Sequence, residues 1–142
     1  MMTTTLWLRI SSIIALLFAA GHTLGSRKSW SPMGDNPVLD QMKKVRFDVM
    51  GVSRSYFDFY MGFGYSLSVA MIMQAVLLWQ LSILARSNPA ALRPIIGVIG
   101  VAAVASGIIA WYFIFPLPAL CELLLVIGLS VAYAVTSSPR QS

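Results

Sequence analysis

Apolar residues recur along this chain in runs too long to serve as one face of a soluble helix. The first run covers residues 5–25 and holds Arg9 near its start and His22 near its end. The second covers residues 55–85, with Asp58 as its only formal charge, and the third covers residues 94–139, with only Glu122. A membrane-crossing helix needs about 20 mainly apolar residues. The third run is about twice that length and is interrupted by Pro116-Leu117-Pro118. Those prolines lack backbone donors and disfavour helix in the residue before each of them. The pattern therefore predicts four crossings, near 6–25, 55–85, 94–115 and 118–137, the last two joined by a tight proline turn. The second is longer than a bilayer requires, so it should tilt or project.

The segment between the first two crossings changes character halfway. Trp30, Pro32, Gly34 and Pro37 mark a loop. Val38, Leu39, Met42, Val45, Val49 and Met50 then recur at helical spacing, with Asp40, Lys43, Lys44 and Asp48 elsewhere around the wheel. This predicts an amphipathic interfacial helix near 38–50, either covering the end of the bundle or acting as a lid. The polar stretch 138–142 should fray, and no internal repeat is apparent. The expected fold is one all-α membrane domain over residues 1–142, a four-transmembrane-helix bundle with an interfacial amphipathic helix in the first loop.

Composition agrees. Of 142 residues 58% are hydrophobic and 11% charged, against roughly 25% charged in soluble domains. A soluble fold of this size buries only about two-thirds of its unfolded surface, which excludes an ordinary soluble enzyme, a disordered tail and a disulfide scaffold. Ten Lys and Arg against five Asp and Glu give a net charge of +5. The basic residues flank the apolar runs, so they read as topology determinants and contacts for anionic headgroups, not as a nucleic-acid surface. One cysteine, Cys121, and one histidine, His22, leave no intrachain disulfide, no cysteine-based metal or haem motif and no bis-histidine haem within one chain. The first run should be retained as a span. The stretch before it carries little charge, and Phe18 spoils the small-residue pattern before Ala20.

Four crossings put both termini on the side of the loop 86–93. That side carries Arg9, Arg86, Arg93 and Arg140 without acids, and the long-loop side carries Arg27, Lys28, Lys43, Lys44, Arg46 and Arg54 mixed with Asp35, Asp40 and Asp48. The bare count favours the long loop inside. The tight, acid-free loop 86–93 and the short uncharged N-terminus favour the opposite, and the expectation is both termini in the cytoplasm.

The same topology gathers the costly residues into one leaflet: His22 at the end of the first span, Arg54, Asp58 and Tyr60 at the start of the second, Trp111 and Tyr112 at the end of the third, Glu122 one turn into the fourth. Ionisable groups in spans face the bundle interior or a wet cavity. His22, Arg54, Asp58, Tyr60, Tyr112 and Glu122 are accordingly the ligand-binding candidates, and each has a structural alternative. Arg54 and Asp58 stand four apart and suit a direct ion pair or a headgroup-binding pair. His22 suits a hydrogen bond to a neighbouring loop, or ligand contact. Glu122 suits a tie to His22, Arg54 or Tyr60, or a place in a site. The aromatic cluster Tyr56, Phe57, Phe59, Tyr60, Phe63 and Tyr65 suits an interfacial belt or a ligand wall. Small-residue pairs such as Gly21 and Gly25 suit helix packing.

Phosphate loops, nucleophile elbows, zincin motifs and CxxC pairs are absent from the sequence, so no catalytic residue, cofactor or metal is assigned. A channel would need a polar stripe through both leaflets, and the other leaflet offers uncharged groups such as Ser11, Ser68 and Gln74. The run Gly51-Val52-Ser53-Arg54-Ser55-Tyr56-Phe57-Asp58-Phe59-Tyr60-Met61-Gly62-Phe63-Gly64, together with Gly21-His22-Thr23-Leu24-Gly25, resembles a group of small four-span bacterial inner-membrane proteins. That resemblance covers most of the chain and brings no chemistry with it. A looser similarity in size and span number links the chain to DoxX-like proteins. The expected function is binding of a lipid-like or amphipathic small molecule in a one-sided polar pocket beneath residues 38–50. The alternatives are a structural or accessory subunit of a larger membrane complex and, third, a membrane-embedded enzyme acting on a lipid or quinone-like substrate. Expected partners are membrane lipids and either a second copy or a membrane-complex partner, not nucleic acid.

Overall fold

In the computed structural model, residues 2–136 are described; the frayed tail expected over 138–142, with Arg140, lies outside them. Four helices are long and apolar enough to cross a membrane: α1 (Met2–Gly25), α3 (Tyr56–Leu84), α4 (Arg93–Phe113) and α5 (Pro116–Thr136). The molecule is an all-α membrane protein, 80% helical, and the sheet found among the described residues is a small two-stranded hairpin. The predicted spans agree to within a few residues. The break between the last two differs in place. Pro116 and Pro118 do not form the turn but sit in the first turn of α5, where a missing N–H removes no intrahelical bond. The chain turns before them, at Ile114, with φ −119° and ψ −100°.

The chain divides into two compact units. One takes α1 up to Phe18, α3 from Ile72, and α4 and α5. Its core draws on all four helices: Leu8 and Ala15; Ala75, Leu78, Leu81 and Ala85; Leu92, Ile96 and Ala103; Leu125, Leu129 and Ala132. Lipid removes the hydrophobic drive between helices, so association rests on close approach and interhelical hydrogen bonds. Both occur here. A Cβ at Gly128 would collide with the Oγ of fully buried Ser11, and Ser12 Oγ donates to the Ala75 carbonyl at 2.7 Å. Leu17, Val98, Val101 and Ile108 are exposed, the pattern of lipid-facing surfaces. The Arg9 guanidinium lies 5.1 Å from the Trp79 ring centre and that of Arg93 lies 4.5 Å from Tyr133.

The other unit, residues Ala19–Met71, holds the end of α1, a 3₁₀ turn (Ser26–Lys28), α2 (Pro37–Lys44), the strands β1 (Arg46–Val49) and β2 (Val52–Ser55), and the start of α3. The chain leaves α1 and its 3₁₀ extension through a Schellman closure. Ser29 N donates to Ser26 O at 2.9 Å and Trp30 N to Gly25 O at 3.0 Å, with Ser29 in the left-handed region at φ 51°. Asn36 caps α2 by accepting from the backbone N–H of Val38 (3.0 Å) and Leu39 (3.2 Å), and Pro37 sits in the first turn.

The helix expected over 38–50 ends at Lys44, and a β-hairpin follows. Val45, Phe47 and Val49 alternate as well as they spiral, so the strand period competes with the helical one. The turn decides between them. Met50 (φ 51°) and Gly51 (φ 80°) form a two-residue loop closed by the Val49–Val52 pair. Positive φ at both loop positions is the type I′ turn that matches the twist of paired strands, and it draws on the freedom of glycine at Gly51. The remaining pairs are Arg46–Ser55, Phe47–Arg54 and Asp48–Ser53. One hairpin face is therefore polar, and the other sets Phe47, Val49 and Val52 beside Arg54.

Candidate functional site

Trp30 is the anchor of the second unit. Its indole Nε1 donates to the His22 carbonyl at 2.7 Å, and its own carbonyl accepts from the Tyr60 hydroxyl at 3.1 Å. The ring stacks on His22 (5.2 Å between centroids, 27° between planes) and meets Tyr65 edge-on at 5.2 Å. It lies where two side chains are missing. A Cβ on Gly25 would stand 2.9 Å from its Cδ1, and a Cβ on Gly64 would drive into the six-membered ring. His22 is held in turn by Gly64, whose carbonyl lies 3.1 Å from Nε2. A carbonyl only accepts, so Nε2 carries the hydrogen. Of the expected candidates His22 and Tyr60 thus come together, and both are engaged in fixing Trp30 between α1 and α3.

Arg54 and Asp58 come together differently. The direct pair expected from their spacing gives way to a capping box, because Asp58 is the third residue of α3 and Ser55 its N-cap. Ser55 N donates to Asp58 Oδ2 at 2.8 Å, and Asp58 N donates to Ser55 Oγ at 3.1 Å. Each satisfies a donor that the helix start leaves orphaned. The Arg54 guanidinium turns to the Ser53 carbonyl, 3.1 Å from Nη1. The same carbonyl receives Arg46 Nη2 at 3.1 Å, and Ser53 Oγ receives Arg46 Nε at 3.4 Å. Two guanidiniums from opposite strands therefore converge on one serine.

Below them a groove of about 300 Å³ runs along α3, lined by Arg54, Asp58, Phe59, Gly62, Phe63 and Ser66. Its polar end is Arg54 with the capping carboxylate; its floor opens at Gly62, where a Cβ would meet nothing within 4 Å. Its aromatic side continues a ladder from the hairpin, Phe47 against Phe59 at 5.2 Å and Phe59 against Phe63 at 6.3 Å. The arrangement suits an amphipathic guest, with hydrogen-bond donors at one end and aromatic and aliphatic wall along the rest.

Tyr112 and Glu122 belong to the first unit. Tyr112 is exposed near the end of α4. Glu122 is half-buried where α5 meets α4, its Cβ 3.3 Å from where a Cβ on Gly107 would stand, and its Oε2 is buried with no hydrogen-bond partner among the described residues. No group of three or more His, Cys, Asp or Glu able to hold a metal occurs among the described residues.

Sequence reasoning passed over Trp30, Arg46, Ser53 and Phe47 as site-building residues. Ser55-x-x-Asp58 was legible as a capping signature. Trp30 has no such local mark, because its significance lies in two glycines, 25 and 64, that only the folded chain brings to its ring. A comparison with protein-family models, with curated proteins and with solved structures finds no match, so the class of this molecule rests on its four apolar helices and its site on the geometry above.

Proposed function

We propose that this protein binds a lipid-like, amphipathic small molecule in the groove along the first turns of α3. The observation that carries this reading is the composition of the groove from end to end: Arg54 and Asp58 at its mouth, Phe59, Gly62, Phe63 and Ser66 along its length. At about 300 Å³ it stands at the small end of ligand sites. It suits a headgroup and the first part of one chain. We place the protein in a bacterial inner membrane with both termini in the cytoplasm, which sets the groove on the periplasmic side. A reporter fused after residue 142 that is active only in the periplasm overturns that orientation.

The binding reading is tested by purifying the full chain in mild detergent and weighing it by native mass spectrometry. A small-molecule adduct is expected on the wild type and is expected to be lost in Gly62→Leu, whose Cβ would meet nothing within 4 Å and whose branched end would occupy the groove. Equal adducts on both proteins, or none on the wild type, count against the groove. A co-purifying membrane protein in place of a small molecule favours the accessory-subunit alternative.

A further inference from the structure

The convergence of Arg46 and Arg54 on Ser53 suggests what kind of head the groove takes. Like charges brought to one carbonyl repel, and a protein ordinarily places a carboxylate between them. Here their only hydrogen-bond partners among the described residues are Ser53 O and Oγ. The nearest acid on the same strand pairing, Asp48, is the cross-strand neighbour of Ser53; the Asp58 carboxylate offsets both arginine charges through space but gives Oδ2 to the helix cap and receives no hydrogen bond from either guanidinium. Each guanidinium keeps N–H groups unassigned, in the planar fork that matches phosphate oxygens. Both residues are exposed and stand just before α3, which enters the bilayer. That is the level at which phosphates of lipid headgroups lie and at which Lys and Arg are attracted to an anionic surface. Lys43 and Lys44, at the end of α2, add to the positive charge in the same short segment.

Resting on the groove reading, we infer that the guest is an anionic phospholipid whose phosphate sits between Arg46 and Arg54 and whose chain follows Phe59, Gly62 and Phe63 down α3. From Asp58 to Ser66 the helix rises about 12 Å, so the groove holds the upper part of one chain and leaves the remainder in bulk lipid. The aromatic rings then contact the chain, while the hairpin, pinned by Phe47 on Phe59, sets the height of the arginines above it.

The test uses the full chain in nanodiscs of zwitterionic phosphatidylcholine doped with phosphatidylglycerol, followed by release into the gas phase and counting of retained lipids. The comparison proteins are Arg46→Gln/Arg54→Gln and Gly62→Leu, with thermal melting in detergent to show that each is folded. Expected is retention of phosphatidylglycerol over phosphatidylcholine by the wild type, weakened about tenfold or more by the double arginine change and abolished by Gly62→Leu. Equal retention of both lipids, unaffected by the arginine change but lost in Gly62→Leu, overturns the anionic head and leaves the groove reading intact. Retention lost with the arginines but untouched by Gly62→Leu makes the arginines a surface anion site and overturns the groove. Added inorganic phosphate that displaces the lipid completely at millimolar concentration overturns the lipid as the source and assigns the site to a free phosphate. An Arg46→Lys/Arg54→Lys protein, with charge kept and the planar fork lost, should retain only part of the preference; full retention would reduce the site to a charge effect.

Discussion

At the residue scale, two glycines on the same helix make opposite demands. Gly62 has open space where a Cβ would stand, and Gly64 has the Trp30 indole. Replacing glycine by alanine within a helix gains about 1 kcal/mol when nothing intervenes. Gly62→Ala should therefore raise the unfolding midpoint in detergent, and Gly64→Ala should lower it by displacing Trp30 from His22, despite the same gain in helix propensity. Equal shifts in the two proteins would show that the indole does not sit against α3. Trp30→Ala removes the ring and its bond to the His22 carbonyl together. For a large aromatic the loss is about 3 kcal/mol when buried and less where, as here, the ring is only partly covered. Tryptophan emission from that region would vanish with it, and the remaining fluorescence would report whether the first unit still folds.

At the scale of elements, the hairpin and the capping box set where α3 begins. Met50 occupies the first position of a type I′ turn, where φ is positive and asparagine is favoured. Met50→Asn should slow amide exchange in β1 and β2 without changing the rest of the chain; faster exchange there would contradict the turn type. Asp58→Ala leaves the Ser55 N–H unpaired and should cost about 1 kcal/mol, seen as faster exchange in the first turn of α3 alone. These two elements also mark the limits of what the sequence discloses. The four spans are legible because twenty successive apolar residues admit one reading in a membrane. The stretch 45–50 is not, because Val45, Phe47 and Val49 satisfy a period of two as well as Val45, Val49 and Met50 satisfy a helix. Only the turn at Met50-Gly51 separates the two. The Arg54 and Asp58 spacing predicts a pair on a helix face, but Arg54 lies in a strand, outside the helix that would have brought the two together.

At the scale of the molecule, packing in the first unit depends on small residues where helices meet. A side chain on Gly128 would displace Ser11, which is fully buried. Gly128→Leu should therefore weaken the association of α5 with α1. The expected outcome is increased protease cutting in the loop 86–93 and a lower melting midpoint, with the proposed lipid retention in the α3 groove unchanged. Loss of retention would mean that the groove depends on that packing.

The 29 residues of α3 rise about 43 Å, against a hydrocarbon layer of about 30 Å. The excess of about nine residues must be taken up by tilt of the helix or by projection of its first turns beyond the hydrocarbon. The depth of Arg54 and of the Phe59 and Phe63 rings that line the groove is then set by how thick the surrounding bilayer is. In a series of nanodiscs built from short-chain to long-chain lipids, the groove should be submerged progressively and the proposed preference for a charged head should fall with each step, as mismatch is relieved by drawing α3 inward. The protein would in that case answer to the thickness of its membrane as well as to its charge.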